Sequence, residues 1–87
     1  MKITSKTKVV DVAPKYMRSW VKINLKNGKN EIVYTVDVDP EFETAFSVEN
    51  AIIYNKEGAT DYADDGIPFS QIDSIELADP PEAKKHG

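Results

Sequence analysis

The sequence predicts a mainly β domain of the α+β class: a small, strongly bent antiparallel sheet or five-stranded barrel, with one short helix near residues 39–46. Three observations carry this expectation. Alternating apolar and polar residues flank Asn27-Gly28, the pattern of a hairpin. Two short apolar runs, Ala51-Ile52-Ile53-Tyr54 and Ile67-Pro68-Phe69, are separated by turn-forming residues. The chain has 87 residues, is 40% hydrophobic and lacks cysteine, so one core must hold it without a disulfide. Residues 1–78 read as that single domain, and 79–87, opening on Asp79-Pro80-Pro81, as a disordered tail.

Taken in order, an N-terminal strand is expected around Lys8–Val12. In the hairpin, Val21, Ile23 and Leu25 alternate with Lys22, Asn24 and Lys26, and Ile32, Tyr34, Val36 and Val38 run back. A two-residue turn on Asn27-Gly28 sets Ile23 opposite Ile32 and Val21 opposite Tyr34, gathering the apolar set on one face. Arg18 then faces Asp37, a cross-strand pair worth roughly 0.2–1 kcal/mol. For the helix, Asp39 suits the N-cap and Pro40 the first helical position. Phe42, Ala45 and Phe46 share its buried side. Ala51–Tyr54 is a third strand and residues 59–66 an acidic loop. Ile67–Phe69 opens a fourth strand, with Pro68 at an edge or a strand start. Ser70–Asp73 forms a single helical turn before a last strand at Ser74–Leu77.

Enzyme chemistry is not expected. His86 is the only histidine and sits in the tail, where nothing can hold it in a catalytic geometry. There is no Gly-rich phosphate loop and no Gly-x-Ser-x-Gly element. Glu57, Asp61, Asp64 and Asp65 offer hard oxygen donors, but lack the alternating spacing of a helix-loop-helix calcium site. No metal or cofactor is therefore expected. Met1–Lys8 has no apolar stretch behind its lysines, and no apolar run matches a bilayer's thickness, so a cytoplasmic protein without a membrane partner is expected.

One strand mixes rings and cations at period two: Tyr16, Arg18, Trp20, Lys22 and, further on, Lys26. Single-stranded nucleic acid binds such faces by stacking bases on rings and holding phosphates on cations. The opposing Asp37 and Glu31, and a net charge of −4, work against it. Val21-Lys22-Ile23-Asn24-Leu25-Lys26-Asn27-Gly28, Val38-Asp39 and Ile72-Asp73-Ser74-Ile75 resemble pieces of the Sm-like RNA-binding barrels, over about a third of the chain. That resemblance implies a small barrel. The residues such barrels use to contact RNA are replaced here by Pro40-Glu41-Phe42 and Phe69-Ser70, so it implies no ligand.

Charge is sorted along the chain. Through Lys29 there are eight basic residues and one acid, Asp11; from Asn30 to Glu82 there are fourteen acids and only Lys56. Such sorting predicts electrostatically distinct surfaces. The expected function is a non-enzymatic protein-binding module, of the accessory or inhibitory kind that phages and mobile elements encode. Its basic partner would meet Asp39, Glu41, Glu43, Glu49, Glu57, Asp61, Asp64 and Asp65, with Tyr54 and Tyr62 as rim anchors. Nucleic-acid binding through the basic-aromatic strand is the alternative. A third is a structural subunit whose unpaired edge strand builds a homo-oligomer.

Overall fold

In the computed structural model, residues 1–81 are described, and most of the tail expected to be disordered lies outside them. Helix α1 (Val9–Tyr16) precedes strands β1 (Trp20–Leu25), β2 (Asn30–Glu43), β3 (Val48–Asn55), β4 (Asp65–Pro68) and β5 (Ile72–Leu77), with a 3₁₀ turn at Phe69–Gln71. The strands form one antiparallel sheet in the order β4-β3-β2-β1-β5. The fold is thus mainly β, as expected, but the sheet is open: β4 and β5 are its two edges. Residues 1–3 lie along β5, where the Ile3 amide donates to Asp73 and the Ile75 amide to Met1.

Val21, Ile23, Val33, Val38, Ile52, Ile72 and Ile75 line one face of the sheet, and Val12 and Tyr16 of α1 pack into the same core with Ile3 and Phe69. Each such aliphatic side chain contributes about 1.5–3 kcal/mol on burial. Residues 9–16 are helical, not extended, because Val9, Val12, Ala13 and Tyr16 repeat at helical spacing and all meet the core. The β-branched Val9-Val10 pair and Pro14 masked that period. Arg18, at a φ of 56°, turns the chain into β1, and its amide donates to Thr35 at 2.7 Å. The expected pair with Asp37 is not made: the ion pairs among the described residues are Lys2–Asp73 and Lys56–Glu31.

The β1–β2 hairpin forms, shifted by one residue from the expected register. Val21 faces Val33 and Ile23 faces Glu31. Its connection has three residues, Lys26, Asn27 and Gly28. The Gly28 amide donates to Leu25, the Leu25 amide to Lys29, and Gly28 takes a φ of 88°. This is a turn closed by a left-handed glycine in place of the two-residue form. β2 is apolar on both sides, so the alternation did not decide between the registers. Val33 and Thr35 therefore face the core, while Ile32, Tyr34 and Val36 share the opposite face with Trp20. A bulge between Thr35 and Asp37 returns Val38 to the core.

The helix expected at 39–46 is absent. β2 continues through Pro40, which sits in a second irregularity of the β2–β3 ladder, so its missing amide leaves no gap. Asp39 Oδ1 accepts the Glu41 amide at 2.8 Å. Phe42 then pairs with Glu49 and Glu43 with Val48. A two-turn helix is marginal by itself, and extended pairing with β3 satisfies more of the backbone.

Candidate functional site

The β2–β3 hairpin ends in a turn built on Thr44. Its hydroxyl accepts the amides of Phe46 (3.2 Å) and Ser47 (3.0 Å) and donates to the Ser47 carbonyl at 3.0 Å. The Thr44 amide closes the turn on Ser47 at 2.8 Å. These bonds hold Phe46 at the tip with 97% of its surface exposed, and Val48 beside it is 61% exposed. Glu41 and Glu43 lie on the β2 arm that leads into the tip, and their carboxylates have no hydrogen-bond or ion-pair partner among the described residues. An exposed ring next to a strand end that carries two free carboxylates, on a turn fixed by four hydrogen bonds, has the form of a docking knob.

The remaining acids divide by position and by work. Glu49 is tied inward: its carboxylate accepts the Ser70 amide at 3.1 Å and the Ser47 hydroxyl at 3.2 Å. The Ser70 side chain is the main cause of a pKa below the usual glutamate range, and the Ser70 amide adds to it. Glu57, Asp61, Asp64 and Asp65 lie at or beyond the other end of β3. Eight residues of strand separate the two groups by roughly 25 Å. The expected acidic surface is therefore two separate regions.

The β3–β4 loop is organised by Asn55, which is fully buried. Its amide nitrogen donates to Ala59 (2.7 Å) and Tyr62 (2.9 Å), and its oxygen accepts the amides of Glu57, Gly58 and Ala59. Asp64 accepts the Lys56 amide, and Asp65 the Gly66 amide. Tyr62 is exposed, but its hydroxyl donates to Glu57 at 2.8 Å, a bond that raises the phenol's pKa. Tyr54 packs against the core, and burial raises its pKa, with Asp65 adding to it. Of the two tyrosines expected as anchors, only Tyr62 is exposed.

The basic-aromatic set is not brought together. Tyr16 is buried in the core and Arg18 sits in the turn after α1. Trp20 meets Tyr34 edge-on at 5.7 Å, and the backbone of Gly58 approaches its ring so closely that a Cβ there would lie 3.1 Å from it. Lys22 is half-buried on β1, while Lys26 lies in the hairpin turn. Nothing in this arrangement offers consecutive bases a stack of open rings.

Lys26 instead borders a pocket of about 250 Å³, together with Thr4, Thr7, Glu49, Asn50 and Phe69. A neighbouring depression shares Lys26 and Ser70. The helical period places Phe46 on a buried side and so hides the knob, and the pocket is built from segments far apart in sequence. Thr44 and Ser47, which favour turns through their hydroxyls, were the signal that could have exposed the knob. Among the described residues no three metal-ligating side chains converge, and no helix is long and apolar enough to cross a membrane. Comparison with protein-family models, with curated proteins and with solved structures finds no match to this chain.

Proposed function

We propose that this chain is a non-enzymatic, cytoplasmic protein-binding module, and that its acidic β2–β3 hairpin docks on a partner with a basic surface. The observation that carries this is Phe46, 97% exposed on a hydrogen-bonded tip, with the unpaired carboxylates of Glu41 and Glu43 on the β2 arm that leads into it. Exposed apolar area of this kind is costly in water and gains free energy when covered. Carboxylates around it favour Lys and Arg at the partner's rim and speed encounter through long-range attraction. An accessory protein that blocks a basic cleft needs this shape and charge and no reactive group.

Affinity capture tests the proposal. The wild-type chain is expected to retain a nuclease-resistant, salt-sensitive protein. Glu41→Lys with Glu43→Lys is expected to lose it, while Asp61→Lys with Asp64→Lys keeps it. Retention by the hairpin variant, or recovery only through nuclease-sensitive material, would overturn the assignment.

A further inference from the structure

The knob and the pocket are close together, and the pocket's charged lining is Lys26 and Glu49. Glu49, which borders the pocket, is three residues from Phe46 and shares a hydrogen bond with Ser47 of the tip. A cavity of about 150 Å³ is enough to hold benzene. At about 250 Å³, with the Phe69 ring in its lining, the pocket can take one phenyl group. Phe46 does not fill it in its own chain. Lys26 stands at the rim, and Lys6 and Lys8 belong to the segment whose Thr4, Ser5 and Thr7 form one wall. None of these three lysines makes an ion pair with a described residue. The knob, conversely, carries Glu41 and Glu43.

A patch that holds both a knob and its socket is self-complementary, as a two-fold interface requires: each contact then occurs twice. We infer that the chain forms a two-fold dimer in which Phe46 of each copy enters the pocket beside Lys26 of the other, with Glu41 and Glu43 facing the lysines around it. The occupant is a second copy because this one chain supplies both the charge and the shape that the patch needs. The inference does not rest on a heterologous partner, although such a partner would compete for the same hairpin.

Sedimentation equilibrium over a wide concentration range tests it. The wild-type chain is expected to dimerise reversibly, more weakly at high salt. Phe46→Ser, at a position too exposed to disturb folding, is expected to weaken the dimer roughly tenfold to a hundredfold. Two further chains decide the mode. Glu41→Lys with Glu43→Lys makes knob and socket both basic, and Lys6→Glu with Lys26→Glu makes both acidic. Each is expected to be monomeric alone, and an equimolar mixture to dimerise, because every contact in the mixed pair is again opposite in sign. A wild-type chain that stays monomeric overturns the inference. So does a dimer unaffected by Phe46→Ser, or reversed chains that associate no better mixed than apart.

Discussion

Thr35 is fully buried, and its hydroxyl finds no hydrogen-bond partner among the described residues. A buried unpaired hydroxyl costs about 1–3 kcal/mol. Valine has nearly the same shape, so Thr35→Val is expected to raise stability by about 1 kcal/mol in urea denaturation; a loss would mean that the hydroxyl is satisfied. Asn55 is the opposite case, a buried amide with every bond supplied. Asn55→Ala strands three backbone amides and two carbonyls near the surface. We expect a loss of about 2–3 kcal/mol, with hydrogen exchange accelerated first in residues 56–62. Uniform acceleration across the sheet would show that the loop does not open separately. Neither role was legible in the sequence. Asn55 ends β3, but its bonds depend on how the loop folds back. Thr35 was placed outward by a register one residue off.

Among elements, the β2–β3 hairpin departs most from expectation. Asp39, Pro40 and Glu41 favour a helix start locally, and the pairing of Phe42 and Glu43 with β3 overrides them. Strands β3 and β4, the 3₁₀ turn and β5 were legible to within a few residues, because their apolar runs are short and bounded by turn formers. The hairpin base is locked where Phe42 lies over Gly66: a Cβ at Gly66 would fall 2.5 Å from the ring. Gly66→Ala is therefore expected to cost about 1–3 kcal/mol. Adding Phe42→Ala should cost less in that background than in wild type, and additive losses in a double-mutant cycle would exclude the contact. Glu49 ties the same base to Ser70. Its carboxylate pKa is lowered in the fold, so its stabilisation is present above the ordinary glutamate range and fades as pH falls through the lowered value. The Ser70 amide resonance should titrate with a midpoint below the ordinary glutamate value. A midpoint at that ordinary value would mean that the bond is not held in solution.

At the scale of the whole molecule, the sorted charge was legible from the sequence, but its destination was not. Lys26 borders a pocket, and the acids expected as a contact divide between the two ends of β3. The hairpin group was expected as part of a contact; the knob that gives it a centre was not, because a helical period claimed Phe46. The sheet also has two apolar faces. One is the core, and the other holds Trp20, Tyr34 and Ile32, with the Asn55-bound loop against Trp20. Trp20 is the only tryptophan, and its ring lies against Gly58 of that loop. The chain thereby carries an optical reporter at the seam between its most negative loop and its sheet. If the loop lifts before the strands separate, the emission of this single indole will move to longer wavelength while the far-ultraviolet signal of the sheet is unchanged, so local opening can be timed without attaching any label.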